Sequence, residues 1–375
     1  MTINPNDRIA FLLSGHHMGG DTRVVLNLVQ RFAQKNLKID LILASAAKIS
    51  SDRIPASVRT IDLQTSITAR TLSALKLLPG LIRYLWREQP SVLVSNLVFT
   101  NAIVVIAKLL AFSPVKLILV EHLALSPSAS DAPQSRLILR LMRVFYPIAD
   151  AIVSVSAQMA KQLQTELHLD RVEVIHNPVV DDALYRQAQE ALDHAWLQPN
   201  QPPVFLGVGR FANQKDFETL IRAFALLRDR MPARLIILGE GTLRGRLEAL
   251  IKELGIEAEV QLPGFVSNPY AYMRRASTFV LSSRWEALPT VLIEAMACGC
   301  QLVATDCPFG AREILDNGAV GQLVPIADPI ALSDAMARSI HNPINGEILQ
   351  QQVKQFSVDR ATNQYIELLD CLSYF

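Results

Sequence analysis

Short runs of Val, Ile and Leu recur along the chain, and most are followed by a longer stretch with apolar residues at helical spacing. Continuous apolar runs of this length are typical of strands buried on both faces, as in parallel sheets covered by helices. The pattern therefore predicts an α/β fold. Strands are expected at residues 8–14, 38–45, 58–63, 91–96, 116–122, 151–156, 172–177, 204–209, 234–240, 259–264, 278–283, 301–306 and 321–325.

The alternation is interrupted between residues 178 and 203, a proline-bearing stretch without a strand pattern. We place a domain boundary there and predict one domain over residues 1–180 and a second over 181–355. Each domain has its own series of strands and helices. The expected architecture is two doubly wound domains that face each other across a cleft.

Composition fits this picture. The chain has 375 residues, of which 50% are hydrophobic and 19% charged, as in compact folded proteins. The first residues lack the basic segment and cleavage site of a signal peptide, so a cytoplasmic location is expected. The apolar stretch 92–112 contains five polar or charged residues and is interpreted as strand, loop and helix rather than a membrane span.

The charges are unevenly distributed. Residues 1–180 carry 19 Lys and Arg against 12 Asp and Glu, whereas residues 181–375 carry 17 against 23. The basic half indicates an anionic surface as partner, although an uneven scatter of solvated charges explains the numbers equally well. Nothing indicates a nucleic-acid partner. Cys298, Cys300 and Cys307 have no neighbouring His to complete a zinc site, so we expect small buried thiols and no metal.

Ligands of open parallel sheets bind beyond the carboxyl ends of the strands, so the residues after each strand are the candidates. GHHMGGDTR follows the first strand, and its Gly19 and Gly20 precede a helix whose N–H groups can bind an anion. VGRFANQKDFETL supplies two cations, Arg210 and Lys215. For the first motif, a tight turn is the simpler explanation. For the second, a pair of surface charges is the alternative, but cations are mildly unfavourable near a helix start, which favours a ligand slightly.

Two further turns of the second half follow strands. LGEGTLRGRLEAL contains Gly239 and Glu240, and LPGFVSNPY contains Phe265 and Val266 beside a turn whose backbone could bind a flat ring. Ordinary turn chemistry accounts for each of them without a ligand.

The segment RWEALPTVLIEAMACG, residues 284–299, contains two carboxylates. Pro289 suits a first helical position and Gly299 a position after the helix, which predicts a helix of about ten residues. Glu286 then lies in the preceding loop and Glu294 about one turn into the helix. This arrangement differs from a hydrolase pair, in which two carboxylates flank one bond.

A loop carboxylate, a helix carboxylate and free helix N–H groups together suit a polyhydroxylated anion such as a nucleotide sugar, because carboxylates accept from hydroxyls and N–H groups donate to phosphate. In the first half, His122 follows the strand 116–122 and could contact a reacting sugar. A structural role for this histidine is equally compatible with its position.

Together these segments resemble the retaining GT-B glycosyltransferases of family 4. The similarity is strongest over residues 204–325, through the blocks VGRFANQKDFETLIRAF, ILGEGTLRGRLEALIKELGI, LPGFVSNPYAYM and SSRWEALPTVLIEAMACGCQLVATDCPFGAREIL. The first half matches more loosely, through MGGDTRVVLNL, EH and VSVSAQMA. The resemblance implies two Rossmann-like domains, a last helix from about residue 356 that returns to the first domain, and no cofactor or metal besides the sugar nucleotide.

The resemblance also implies roles for individual residues. Arg210 and Lys215 would hold the donor diphosphate, Glu286 would contact the transferring sugar, and Glu294 would bind the ribose. His122 would face the sugar from the first domain. The remaining donor contacts would come from Gly19, Gly20, Gly239, Glu240, Phe265, Val266, Leu288, Thr290 and Val291.

The sequence departs from the family pattern at two places. Asp21 and Thr22 stand where members often have Ala and Glu, and Asp216 stands where they often have Gly. We expect Asp216 to be tolerated as a helix-starting residue. The helical segments 71–88 and 135–147 combine Arg and Lys with large apolar residues, which favours peripheral contact with an anionic membrane, although core-facing helices with a basic outer face show the same pattern.

The leading hypothesis is a transferase that moves a hexose or N-acetylhexosamine from a UDP-sugar to a lipid-linked or polysaccharide acceptor. A nucleotide-sugar epimerase of the same architecture is the alternative enzyme, and a non-catalytic carbohydrate-binding protein is a third hypothesis. Donor-only product analysis distinguishes the first two.

Overall fold

The structure is a computed structural model that describes residues 7–13, 20–45, 54–65, 71–122 and 133–373. It divides into two compact units, Met1–Pro178 with Val358–Phe375, and Val179–Ser357. Each unit is a parallel sheet covered by helices, which confirms the predicted α/β class. All thirteen predicted strands are present, most of them one or two residues shorter than the sequence pattern indicated.

The first unit contains a seven-stranded sheet of order β3-β2-β1-β4-β5-β6-β7. All neighbouring strands are parallel, so each connection returns from the carboxyl edge of the sheet to its amino edge. The elements are β1 (Arg8–Leu13), α1 (Gly20–Gln34), β2 (Lys38–Leu43), β3 (Arg59–Asp62), α2 (Leu78–Glu88), β4 (Val92–Asn96), α3 (Val98–Leu110), β5 (Lys116–Glu121), α4 (Pro133–Phe145), β6 (Ala151–Ser154), α5 (Ala157–Leu167) and β7 (Glu173–Val174).

The second unit contains a six-stranded parallel sheet of order β10-β9-β8-β11-β12-β13. Its elements are α6 (Asp182–Ala188), β8 (Val204–Val208), α7 (Phe217–Arg228), β9 (Arg234–Leu238), α8 (Arg244–Glu253), β10 (Val260–Gly264), α9 (Pro269–Met273), β11 (Thr278–Leu281), α10 (Thr290–Ala297), β12 (Gln301–Thr305), α11 (Ala311–Ile314), β13 (Gln322–Val324), α12 (Pro329–His341) and α13 (Gly346–Val353). Short 3₁₀ turns cover Thr71–Leu77, Tyr146–Ile148, Ala195–Leu197, Asp316–Gly318 and Lys354–Phe356.

The core of the second unit lies between its sheet and the helices α7, α8 and α12. Phe205, Phe224 and Ile237 are among its fully buried side chains. Burial of such side chains provides most of the stabilisation of each layer. Because every β-to-α connection leaves a strand at its carboxyl end, the core holds these loops at one edge of the sheet.

The last helix, α14 (Val358–Ser373), belongs to the first unit, where it packs on α1. Arg31 of α1 and Asp359 of α14 form an ion pair. The stretch 92–112 forms β4, a one-residue link and α3, as expected from its polar residues. Cys298, Cys300 and Cys307 are buried free thiols. Within the ranges that the structure describes, no helix is long and apolar enough to cross a membrane.

Candidate functional site

The loops that follow β8 and β11 meet at the carboxyl edge of the second sheet, since these two strands are neighbours. They bring Lys215 and Glu286 together: the ammonium Nζ lies 2.5 Å from the carboxylate Oε1. Ser283 donates a second hydrogen bond to the same oxygen, over 2.7 Å. The two charged side chains are only 16% and 9% exposed, so this ion pair is largely shielded from water.

Four other hydrogen bonds fasten the two loops to each other. The backbone carbonyl of Gln214 accepts from the backbone N–H of Arg284 over 2.8 Å, and the side-chain amide of Gln214 donates to the Trp285 carbonyl over 3.0 Å. Ser282 donates to the Lys215 carbonyl, and Arg284 donates to the Asp216 carboxylate over 2.9 Å. The position of Glu286 relative to Lys215 is therefore set by the connected loops as well as by the pair itself.

Asp216 occupies a left-handed backbone conformation, with φ of 47°. It precedes α7, but its side chain makes no capping hydrogen bond; it accepts instead from Arg284 and from the Thr219 hydroxyl. The sequence predicted that Asp is tolerated here because it starts a helix well. That reason was wrong, because the Asp216 side chain does not cap α7. The left-handed conformation explains why Gly suits this position, and Asp is among the few other residues that adopt it.

Substitutions of Asp216 should separate the backbone effect from the ion pair. Asp216→Ala is expected to lower the free energy of unfolding by about 2 kcal/mol, because it loses the Arg284 contact and keeps a strained backbone. Asp216→Gly loses the same contact but relieves the strain, and is expected to lose less than about 1 kcal/mol. Urea unfolding of both variants tests this; equal stability of the two would show that the backbone conformation carries no cost.

The segment that carries Glu294 forms α10, which is shorter than expected. Its eight residues begin at Thr290, and Pro289 precedes the helix rather than occupying its first position. Pro289 has ψ of 92°, which is extended backbone and cannot continue into a helical turn. Gly299 follows the helix with φ of 86°, as the sequence indicated.

The first turn of α10 presents backbone donors. Pro289 provides no side-chain cap, and the structure shows no acceptor for the N–H groups of Thr290 and Val291 among the residues it describes. Leu288, just before the helix, is buried. Unpaired N–H groups at a helix start are suited to bind an anion.

Glu294 lies one turn into α10 and is 6% exposed. The Tyr270 hydroxyl of α9 donates to its Oε1 over 3.1 Å. A fully solvated helix face is therefore excluded for this carboxylate. The structure thus separates the two glutamates: Glu286 pairs with a cation in a loop, and Glu294 is held by a phenol on a buried helix face.

Arg210 also lies at this edge, directly after Gly209. Its side chain is exposed, and the described part of the chain offers its guanidinium no hydrogen bond or ion pair. The two predicted cations thus differ. Lys215 is neutralised locally by Glu286, whereas Arg210 keeps its charge available for a ligand.

The turns after β9 and β10 are tightly connected. The Gly239 N–H donates to the Gly264 carbonyl over 2.9 Å, and the Phe211 N–H donates to the Glu240 carbonyl over 2.8 Å. The Glu240 side chain is exposed and lies 3.5 Å from Arg244. Phe265 follows β10 and is 81% exposed. Val266 beside it is half-buried.

Two further residues lie near Glu286, and the sequence assigned neither to this site, although it predicted Cys307 as a buried thiol. A Cβ on Gly310 would lie 2.6 Å from the Ala287 carbonyl, so its backbone supports the loop directly behind Glu286. Cys307 is buried nearby, and burial, together with the charge of Glu286, raises the pKa of its thiol to about 12. The thiol therefore stays neutral. Both residues follow a predicted strand, which is the signal that could have identified them.

In the first unit, His122 follows β5 and is half-buried. Its Nε2 lies 3.0 Å from Oδ1 of Asn96, the last residue of the neighbouring strand β4. Asn96 was not identified from the sequence. Gly20 begins α1, as expected for a glycine-bearing turn before a helix, whereas Gly19 lies outside the described residues.

The surroundings of Asn96 are polar and strained. Leu97 has φ of 74°, a conformation that side-chain-bearing residues rarely adopt. Ser95 Oγ, Asn96 Nδ2 and Asn101 Oδ1 are buried without a hydrogen-bond partner in the described structure. Buried polar atoms without partners are uncommon and often mark a place where a ligand or water binds. This junction is therefore the strongest polar feature near His122.

A buried carboxylate lies directly before His122. Glu121 accepts a 2.5 Å hydrogen bond from the Tyr146 hydroxyl, which in turn accepts from the Asn101 amide. Burial, together with the charge of Glu121, raises the pKa of Tyr146 well above its ordinary value. The phenol thus remains a donor and holds Glu121 in place.

The chain matches the family models described as Glycosyltransferase Family 4, over residues 18–183, and Glycosyl transferases group 1, over residues 188–356. Among solved structures, it resembles HepE of Anabaena in complex with UDP-glucose, with a TM-score of 0.77 and 20% identity. That match covers 97% of this chain and 99% of the HepE chain, and it shows the fold.

Among curated proteins, the chain resembles two transferases of Campylobacter jejuni. It is 34% identical over 223 residues to N-acetylgalactosamine-N,N'-diacetylbacillosaminyl-diphospho-undecaprenol 4-alpha-N-acetylgalactosaminyltransferase, covering 59% of this chain and 58% of that protein. It is 25% identical over 372 residues to GalNAc-alpha-(1->4)-GalNAc-alpha-(1->3)-diNAcBac-PP-undecaprenol alpha-1,4-N-acetyl-D-galactosaminyltransferase, covering 96% of this chain and 98% of that protein.

The chain spans about half the length of several curated relatives that it matches, and nearly all of the second Campylobacter transferase. The two family models follow one another along most of the sequence and correspond to two parallel α/β sheets. The chain therefore belongs to the GT-B glycosyltransferases, with a Glycosyltransferase Family 4 domain followed by a Glycosyl transferases group 1 domain.

Proposed function

We propose that the protein is a retaining glycosyltransferase that moves a hexose or N-acetylhexosamine from a UDP-sugar to a lipid-linked or polysaccharide acceptor. The observation that carries the proposal is the shielded pair of Lys215 and Glu286, 2.5 Å apart at the carboxyl edge of the second sheet. A carboxylate held this way can accept hydrogen bonds from sugar hydroxyls while the adjacent ammonium faces phosphate.

The other groups of this edge support a sugar nucleotide as ligand. Arg210 and the N–H groups of Thr290 and Val291 offer positive charge and donors to a diphosphate. Glu294 would accept from the ribose. The exposed ring of Phe265, with Val266, Gly239 and Glu240, would contact the nucleoside. These positive groups can neutralise the diphosphate, so the proposal includes no metal or other cofactor.

The reaction would break the bond between the anomeric carbon and the diphosphate and form a bond from the same carbon to the acceptor oxygen. In the proposed front-face mechanism, the acceptor proton moves to the leaving phosphate. Arg210 and the start of α10 would stabilise the negative charge that develops there. His122, held by Asn96, and the backbone at Gly19 and Gly20 would also contribute to the reaction.

The choice of acceptor and donor is supported by the relatives. Both Campylobacter transferases are named for undecaprenol diphosphate-linked acceptors and for the transfer of N-acetylgalactosamine. The HepE structure contains UDP-glucose. We extend the proposal to an enzyme that acts at the inner face of the cell membrane, in contact with anionic lipids.

A thermal-shift screen tests the donor. UDP-sugars at about 100 times their dissociation constant are expected to add about 2.7 kcal/mol of stability, whereas GDP- and ADP-sugars at equal concentration should add less. The best donor is then incubated with and without a lipid-linked oligosaccharide. Transfer with retained anomeric configuration is the expected result. A new free nucleotide sugar formed from donor alone would instead favour the epimerase and contradict the proposal.

A further inference from the structure

The exposed large apolar side chains in the described part of the first unit are concentrated on α2, α3, α4 and the turns beside them. Four of them come from the ends of two adjacent helices: Trp86 near the end of α2, Leu109 and Leu110 at the end of α3, and Phe112 in the turn that follows. We name these four residues the Trp86–Phe112 patch. Phe112 is 93% exposed and Trp86 is 61% exposed, so both rings project into solvent.

Phe112 stands at a position that favours glycine. The Ser113 N–H donates to the Lys108 carbonyl and the Phe112 N–H donates to the Leu109 carbonyl, which is the hydrogen-bond pattern of a Schellman helix end. Phe112 has φ of 48° at its left-handed position. A bulky residue is strained there and gains nothing from burial. This combination of strain and exposure indicates a function outside the folded core.

The patch is held rigidly. Trp86 donates from its indole Nε1 to the Ala111 carbonyl over 2.9 Å, so the ring is fixed beside Phe112. The helix that carries Trp86 is itself anchored to the sheet, because the Tyr84 hydroxyl donates to Asp40 over 2.7 Å. The apolar surface therefore exists before any partner binds, which reduces the entropic cost of binding.

Cations surround the patch. Arg83 and Arg87 flank Trp86 on α2, and neither forms an ion pair within the described ranges. Lys108 and Lys116 are nearby but share Asp150, at 3.0 and 3.3 Å. Over the whole stretch 71–148 the sequence has eight Lys and Arg residues and three Asp and Glu residues. Among the described residues, Arg83 and Arg87 therefore place positive charge without an ion pair on the helix end that carries Trp86.

We propose that the Trp86–Phe112 patch inserts into the interface of a membrane that contains anionic lipids. Protruding aromatic and Leu side chains beside Arg83 and Arg87 suit the boundary between head groups and acyl chains. Each of the four side chains is at least half exposed, which suits a fluid surface that can close around every one of them. The apolar face of α2 is not available for this contact, because Leu81, Tyr84 and Leu85 are buried in the core. For the segment 71–88, the proposed membrane contact is therefore made by the end of α2 together with the end of α3, and not by the apolar face of α2.

This inference deepens the proposed function and rests on it for the acceptor. The patch lies where α2 and α3 end, at the amino ends of β4 and β5, whereas His122 follows the carboxyl end of β5. The 13 residues of α3 extend over about 20 Å. Insertion of the patch would keep His122 away from the bilayer surface. That distance suits an acceptor in which sugars already separate the lipid diphosphate from the reacting hydroxyl.

The full-length protein is sedimented with vesicles of equal parts phosphatidylglycerol and phosphatidylcholine at low salt. Phe112→Gly is expected to lower the bound fraction about tenfold, since it removes the ring that would be buried in lipid. Its Tm should be equal to or higher than that of the unchanged protein, because glycine relieves the left-handed strain. Loss of binding therefore cannot be attributed to unfolding. Ile330→Ser, which removes another exposed apolar side chain from the second unit, serves as the control and should bind as before.

The double variant Arg83→Gln, Arg87→Gln should bind less than the unchanged protein at low salt. Added salt should then lower its binding little further, because the charges that salt would screen are already removed. The proposal is overturned if the unchanged protein does not sediment with the vesicles, or if Phe112→Gly binds equally well. It is also overturned if Phe112→Gly abolishes a concentration-dependent dimer, because the patch would then be an interface between copies.

Transfer to a water-soluble acceptor is measured in parallel. Phe112→Gly should retain this transfer activity. If transfer were absent in every variant, the proposed function would be contradicted, but the vesicle result would be unaffected.

Discussion

Glu286→Gln is expected to lower kcat/KM for sugar transfer by about 10²- to 10³-fold, the range found when a group aimed at transition-state charge is removed. The neutral amide keeps the shape of the side chain but leaves the Lys215 ammonium without its counter-ion, 2.5 Å away in a shielded position. It also offers a donor where sugar hydroxyls would meet an acceptor. The measurement is initial-rate kinetics with the donor identified in the thermal-shift screen.

Glu248→Gln is the matched control. Glu248 forms an ion pair with Arg244 on α8, but its side chain is 56% exposed, so the same chemical change should leave transfer unchanged. Lys215→Met is expected to lower transfer as strongly as Glu286→Gln, and the double variant should lose little more, because the two residues act as a unit. A Glu286→Gln rate within twofold of the unchanged enzyme would show that the site is assigned incorrectly.

Gly239→Ala is expected to lower the free energy of unfolding by about 3 kcal/mol or more. A Cβ at this position would lie 1.9 Å from the carbonyl oxygen of Gly209, and the residue has φ of 142°. Both obstacles involve backbone, so no side chain can rotate to make space. The ends of β8 and β9 would have to separate, which would also move the turn that carries Arg210.

Gly245→Ala provides the comparison for Gly239→Ala. Gly245 lies in the first turn of α8, and a Cβ there would meet nothing within 4 Å. Alanine should therefore stabilise the helix by up to about 1 kcal/mol. Chemical unfolding of both variants measures the contrast. Similar stability of the two would mean that the strand ends can move apart freely and that the close approach at Gly239 has no structural role.

The strands were predicted well because each one is a local pattern. A continuous run of Val, Ile and Leu of five or six residues can be buried in a parallel sheet wherever it lies, so β5 and β9 could be located without knowing their neighbours. The candidate residues followed from the same rule, since Lys215, Glu286 and His122 all come shortly after a strand. The ends of helices were less predictable: α10 begins one residue later than its proline indicated, because that proline is extended.

Contacts between distant segments were not predictable in this way. Lys215 and Glu286 are 71 residues apart, and Asp216 and Arg284 are 68 apart. No periodicity connects such positions. They meet because β8 and β11 are neighbours in the sheet, an order that the chain reaches only when all six strands pack. The same reason explains why Asn96 was missed as a partner of His122, since Asn96 ends β4 and His122 follows the neighbouring strand β5.

The prediction of membrane contact likewise depended in part on local sequence and in part on tertiary contacts. Amphipathic spacing indicated that residues 71–88 carry apolar and basic side chains, but spacing cannot show which apolar residues face the core. The structure buries Leu81 and Leu85 and leaves Trp86 exposed beside Phe112. Burial is decided by the elements that pack around a helix, and here the neighbouring helix α3 covers one face and ends at the exposed turn.

By itself, the sequence determined the α/β class, the positions of thirteen strands and the residues that follow them, because hydrophobic periodicity and turn chemistry act over a few neighbouring residues. Only the tertiary structure decided that Lys215 is paired while Arg210 has no ion pair among the described residues, that Asp216 is held by Arg284 rather than capping a helix, and that Phe112 projects into solvent. These properties depend on which strands and helices become neighbours, and that choice is made by the packing of the whole unit.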